Sequence, residues 1–213
     1  TPEGAVLDTC GTGGDHSGTF NISTTAAFVA AGAGVKVAKH GNRSMTSLCG
    51  SSDVLSHLGI NIEAETALME RALREVGICF LHAQQYHSSM RHVGPERREL
   101  GFRTVFNLVG PLANPAAASH QLIGVFGRRE AHLVAQVLCL LETDGALVVH
   151  GSDGLDEITL TGNTYAWRVI DGPESADAVS AELAGVRKLG VAYSGGVDSA
   201  TLLALAVRAL GAF

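Results

Sequence analysis

From Asp8 to Asp53 the chain reads DTCGTGGDHSGTFNISTTAAFVAAGAGVKVAKHGNRSMTSLCGSSD, and few folds can accommodate that order of parts. A glycine-rich turn, a helical run over 24–31, a strand over 34–39, a Lys-His-Gly-Asn-Arg loop and a second Gly/Ser turn follow one another within one βαβ length. The alternation continues downstream. A short helix over 51–58 stops at Gly59, and 65–76 repeats apolar residues at Leu68, Ala72, Leu73 and Val76 before Gly77. ICFLHA (78–83), QLIGVFG (121–127) and ALVVHG (146–151) are apolar runs of strand length, with a helix over 130–141 between the last two. Strands alternating with helices make an α/β fold with a mostly parallel central sheet and flanking helices. A chain that is 46% hydrophobic but only 5% aromatic suits strands buried on both faces.

Charge and cysteine usage narrow the classes. A net charge of −6 leaves no electrostatic footprint for nucleic acid or an anionic membrane, so neither is expected as a partner. The apolar runs are too short for a membrane span, and the start does not read as a signal peptide. Cys10, Cys49, Cys79 and Cys139 lie far apart with no C-x-x-C pair, which points to reduced thiols in a cytoplasmic protein. DGPESADAVSAELAG (171–185) is acidic and rich in small residues, like a linker.

The motifs share one chemistry. Glycines in Gly11-Thr12-Gly13-Gly14-Asp15 let successive backbone N–H groups converge on an anion. Asn21-Ile22-Ser23-Thr24 places amides and hydroxyls at a helix start, where phosphate is favoured and where Ser23 can equally serve as N-cap. Lys39-His40-Gly41-Asn42-Arg43 lies at the C-terminal end of a strand, the edge where open α/β sheets bind ligands. Thr46, Ser47, Gly50 and Ser51 add hydroxyls and a turn. Arg97 and Arg98 lie in GPERRELGFRTVFNLVGPLANP (94–115), either on a solvated face with Glu96 and Glu99 or aimed at a carboxylate. Asp156-Glu157 puts two carboxylates in a loop after a strand, a pattern that suits Mg²⁺ beside a phosphate ligand.

Taken in order, GTGGD, NIST, KHGNR, GSSD, RRELGFRTVFNLVGPLANP and DGLDE resemble the anthranilate phosphoribosyltransferases over residues 1–170. The resemblance implies transfer of the phosphoribosyl group of phosphoribosyl pyrophosphate (PRPP) to the amine of anthranilate, with release of pyrophosphate, in tryptophan biosynthesis. It implies an α/β fold shared with the nucleoside phosphorylases, an Mg²⁺ cofactor, and a homodimer in the full-length family. That family carries a helical segment ahead of the GTGGD turn, for which the seven residues before Asp8 leave no counterpart. Residue by residue, Gly11, Gly14, Asp15, Thr19, Asn21, Ile22, Ser23 and Thr24 resemble PRPP contacts. So do Lys39, His40, Gly41, Asn42, Arg43, Ser44, Met45, Thr46, Ser47 and Ser51. Gly11, Asn42 and Arg97 resemble anthranilate contacts, and Ser23, Asp156 and Glu157 resemble Mg²⁺ ligands. Ser88 and Glu96 depart from the family's pattern of proline and an apolar residue.

Beyond residue 170 the motifs change. A strand over 187–193 leads into Ser194-Gly195-Gly196-Val197-Asp198-Ser199 and an apolar helix, which resembles the pyrophosphate loop of adenylating ATP pyrophosphatases. The expected organisation is a phosphoribosyltransferase-like domain over 1–170, a linker over 171–186 and one strand-loop-helix unit over 187–213. An ATP-adenylating enzyme, with Ser194, Gly195, Gly196, Asp198 and Ser199 around the pyrophosphate, is the alternative reading. A nucleic-acid-binding relative of the same fold is a third, and the acidic balance speaks against it.

Overall fold

The computed structural model of the chain describes residues 4–43, 49–141 and 143–170, so Ser44–Ser47, the 171–186 linker and the Ser194–Ser199 loop lie outside the described residues. Strand β1 (Val6–Gly11) leads through the glycine turn to helix α1 (Ile22–Gly32) and strand β2 (Lys36–Gly41). Helices α2 (Ser51–His57) and α3 (Thr66–Glu75) precede β3 (Ile78–His82). Helices α4 (Ala83–Tyr86), α5 (Met90–Leu100) and α6 (Phe106–Val109) cross to β4 (His120–Gly124). Helix α7 (Arg128–Leu140) then returns the chain to β5 (Gly145–Gly151) and β6 (Thr164–Ile170).

The strands form one sheet in the order β3-β2-β1-β4-β5-β6, parallel except for β6, which runs against β5. The chain leaves β1 towards β2 and β3 on one side and later returns to place β4 on the other. The order therefore reverses between β1 and β4, and an open sheet of this kind has its ligand crevice above that point. The expected α/β architecture with a mostly parallel sheet is what the chain adopts.

Alternation along the strands divides the core. Leu7, Val37, Leu122 and Val149 pack on the α1 face against Ala26, Ala27 and Ala30, small residues that bring the helix close to the sheet. Cys10, Ile123, Val125 and Val148 face the other way, against Val134, Leu138 and Cys139 of α7. Leu138 is 0% exposed, and Leu138→Ala is expected to cost about 3 kcal/mol in urea unfolding. A cost below about 1 kcal/mol would show that this face is loosely packed.

Two features differ from the sequence expectations. Strand β2 spans Lys36–Gly41, so His40 and Gly41 extend the strand beyond its expected end at Lys39. Strands β1 and β6, and helices α4 to α6, lie outside the expected elements. Among the described residues no disulfide joins the four cysteines, and no helix is long and apolar enough to cross a membrane.

Candidate phosphate and metal site

The glycine turn is pinned across the switch point. Thr12 N donates to the Gly124 carbonyl at 2.9 Å, and the Thr12 hydroxyl accepts from Phe126 N at 3.1 Å. Gly13 and Gly14 have φ of +66° and +80°, a conformation that leaves the turn open only to glycine without strain. Gly13 N donates to Asp156 Oδ2 at 2.7 Å, so one amide of the turn already faces a carboxylate. Arg103 donates to the Gly14 carbonyl and lies 4.0 Å from the centre of the Phe126 ring. The sequence reading missed Arg103, although it stands in the same motif as Arg97.

Lys39 is 2% exposed, and its ammonium donates to the Thr9 carbonyl and to Ser23 Oγ, the latter at 3.2 Å. Burial pushes the Lys39 ammonium below its ordinary pKa, while the negative charges of Asp8 and Glu157 support it. Ser23 thus serves Lys39 and not the helix end. Asn21 holds the N-cap position of α1 without a side-chain capping bond, which corrects the reading of Ser23 as cap. The His40 ring lies with Nε2 3.1 Å from His87 Nε2, and burial, then His87 and Lys39, push it down to about 4. His40 is therefore a neutral hydrogen-bonding ring at physiological pH.

The starts of α1 and α2 meet. Asn21 Nδ2 donates to the Cys49 carbonyl at 2.9 Å, and the Thr24 hydroxyl donates to Ser51 Oγ at 3.1 Å. Asn42 Oδ1 accepts from Arg43 N at 2.8 Å and Gln84 Nε2 at 3.4 Å, while Arg43 pairs with Asp53 at 3.2 Å on the surface. Thr19 Oγ1 stands 3.2 Å from Ser17 Oγ in an exposed part of the turn, and Ile22 opens α1.

The loop after β5 brings in the carboxylates. Burial and the neighbouring Asp15 push Asp156 up to about 7. Burial and Asp156 push Glu157 up to about 8, against the pull of Lys39 and of the Ser23 amide. Burial opposes the charge of Asp15 too, yet hydrogen bonds from Ser17 and Asp156 hold its carboxyl below the ordinary value. Two hard oxygen donors that repel each other, with Ser23 beside one of them, suit Mg²⁺. Among the described residues no group of three His, Cys, Asp or Glu side chains is arranged to hold a metal. A cation here would complete its shell with substrate and water oxygens. Gly11 and Gly124 give the loop its seat: a Cβ on Gly11 would stand 3.0 Å from Asp156 Oδ2, and one on Gly124 only 1.6 Å from the Asp156 carbonyl oxygen.

Arg97 on α5 is half-buried, with Cζ 5.6 Å from the centre of the Phe106 ring. Among the described residues no carboxylate forms an ion pair with it, and Glu96 and Glu99 are exposed. No hydrogen bond joins Arg97 to Asn42 or Gly11 among the described residues.

Comparison with known proteins identifies the family. The family described as glycosyl transferase family, a/b domain, matches residues 3–206. The anthranilate phosphoribosyltransferase of Herpetosiphon aurantiacus is 58% identical over 167 residues, 78% of this chain and 49% of that protein. That of Roseiflexus sp. is 62% identical over 157 residues, 74% of this chain and 46% of that protein. The chain spans about half the length of these curated relatives. Among solved structures, anthranilate phosphoribosyltransferase from Thermus thermophilus has a TM-score of 0.72 at 40% identity, covering 93% of this chain and 59% of that one. The enzyme from Saccharomyces cerevisiae in complex with PRPP and Mg has a TM-score of 0.80 at 28% identity, covering 98% and 65%. The family match continues past residue 170 to 206, and none of these relatives is an ATP pyrophosphatase. On that match the chain belongs to the glycosyl transferase family, a/b domain, and within it resembles the anthranilate phosphoribosyltransferases.

Proposed function

We propose that this chain binds PRPP with Mg²⁺ at the C-terminal edge of its sheet and serves the transfer of the phosphoribosyl group to the amine of anthranilate. The observation that carries this reading is the meeting of an ammonium, a hydroxyl, a glycine amide and two carboxyl groups at the switch point. A buried Lys39 ammonium stands beside Ser23 and Glu157, and Asp156 lies under the Gly13 amide. Structures of the yeast relative with PRPP and Mg and with 4-fluoroanthranilate support it.

In the reaction, the bond from the sugar C1 to the pyrophosphate oxygen breaks and a bond from C1 to the anthranilate nitrogen forms, with the amine proton released. Gly11, Gly14, Asp15, Thr19 and Asn21 to Thr24 would contact the sugar and its phosphates, together with Lys39 to Ser47 and Ser51. Mg²⁺ held by Ser23, Asp156 and Glu157 would neutralise the departing pyrophosphate. Lys39, beside Ser23 and Glu157, would share that charge. Gly11, Asn42 and Arg97 would hold anthranilate, with the Arg97 guanidinium on its carboxylate. An aryl amine attacks without a strong base, and the neutral His40 ring does not have to supply one. A cytoplasmic setting and a homodimeric assembly complete the proposal.

The carboxyl pair makes the reading testable. Both groups hold protons that a cation must displace, so PRPP binding with Mg²⁺ should tighten on the order of 10²-fold from about pH 6 to about pH 8. Without metal the sign for stability is opposite. The unfolded chain releases these protons near its ordinary carboxylate values, whereas the folded chain keeps them to about 7 and about 8. Stability should therefore fall as pH rises between those limits, and Mg²⁺ should restore it. Calorimetric titration of PRPP and urea midpoints, each with and without Mg²⁺, check both. Absence of PRPP binding by the folded chain at either pH would overturn the proposal.

A further inference from the structure

The backbone ladder between β1 and β2 is short. Its pairs are Val6 with Lys36 and Leu7 with Val37, whereas β1–β4 pairing continues to Gly11 with Gly124 and β2–β3 pairing to Gly41 with His82. Past Leu7, side chains take the backbone groups along the gap. Asp8 Oδ1 accepts from His40 N at 3.0 Å, Lys39 Nζ donates to the Thr9 carbonyl, and Asn114 Nδ2 donates to the Ala38 carbonyl at 2.8 Å. Asn114 Nδ2 also donates to Asp8 Oδ2 at 2.7 Å, and its Oδ1 accepts from Ala116 N at 2.8 Å. Both amide hydrogens and the carbonyl oxygen of that carboxamide are thus engaged.

The GPLANP segment is itself fastened to the sheet, because the Pro111 carbonyl accepts from Gln121 Nε2 at 2.9 Å and Leu112 packs on the α7-side core. Asn114 therefore reaches the β1–β2 gap from a fixed loop. Asp8 is 0% exposed, so no solvent replaces a lost donor.

We propose that Asn114 is a positioning residue of this site: its carboxamide holds Asp8 against the β2 backbone and so fixes where Lys39 and His40 stand. The gap at β1–β2 is where Lys39 enters the site, and the wedge of Asn114 and Asp8 sets its width. The consequence for substrate rests on the PRPP reading above; the placement of β2 does not.

The test uses the 213-residue chain with Asn114→Ala, Asn114→Ser and Leu138→Ala, the last a destabilised control in the core between α7 and the sheet. Two quantities are read: the backbone amide resonance of His40 by NMR, and PRPP affinity with Mg²⁺ by calorimetry. Asn114→Ala should shift the His40 amide and weaken PRPP roughly tenfold, while Leu138→Ala changes neither. Asn114→Ser keeps one hydroxyl donor for Asp8 and should shift the same amide less; it carries the test if the alanine variant does not fold. An unmoved His40 amide in a folded Asn114 variant overturns the proposal, as does an equal shift in Leu138→Ala. A shifted amide in a chain that binds no PRPP with or without the substitution supports the positioning role and overturns the substrate reading alone.

Discussion

Gly124→Ala should abolish Mg²⁺-dependent PRPP binding and lower the melting temperature by roughly 6–12 °C. Gly124 ends β4 at the switch point, where its carbonyl accepts from Thr12 N. The added Cβ would lie 1.6 Å from the Asp156 carbonyl oxygen and 2.6 Å from its carbon, both backbone atoms that no rotamer change can remove. Either β4 must withdraw from β1 or the Asp156–Glu157 loop must lift. Overpacking of this kind costs about 3 kcal/mol, and a domain of this size loses a few degrees for each of those. The binding loss follows from the loop, since Asp156 reaches Gly13 only while it sits on β4. Thermal unfolding and calorimetric titration of one variant check both effects. A variant that melts like the wild type and still binds PRPP would show that the loop has another resting place.

This clash illustrates what the sequence could convey and what it could not. The GTGGD turn and the DE pair were legible because glycine and carboxylate carry their chemistry locally. That the two meet was not, since Gly13 and Asp156 are 143 residues apart and no periodicity links them. Lys39 misleads the strand boundary for a related reason. Lysine ordinarily marks a surface, so a strand is expected to end there, yet this ammonium is buried and hydrogen-bonded inside β2. Strand β6 has the aromatic and β-branched content of a strand, in Tyr165, Trp167 and Val169, but follows a turn-rich stretch that obscures it. Asn114 is the extreme case. Its partner Asp8 is 106 residues away, and only the topology that places β1 at the sheet's centre brings them together.

Lys39→Met should weaken PRPP binding by roughly 10- to 10²-fold while leaving the fold in place. Methionine matches the length of the lysine stem and is flexible enough to fill the same channel. The stability terms oppose each other. Removing a buried charge removes its desolvation cost, but the Thr9 carbonyl and Ser23 Oγ lose a donor, and Asp8 and Glu157 lose a cationic neighbour. Both carboxyls can respond by holding their protons more tightly, which limits the net change to about 1–2 kcal/mol. Binding has no such escape. The ammonium has one N–H beyond those given to the Thr9 carbonyl and Ser23 Oγ, and a charge-assisted hydrogen bond from it to a phosphate contributes about 1.5–3 kcal/mol, which corresponds to the predicted loss. The position of Mg²⁺ does not compensate, because Glu157 without Lys39 is the worse metal ligand at neutral pH, its proton being harder to remove. Calorimetry with PRPP and Mg²⁺ on the variant, beside its near-ultraviolet circular dichroism, separates lost contact from lost fold. Affinity within threefold of the wild type, in a chain with an unchanged spectrum, would place the phosphates away from β2 and remove Lys39 from the site.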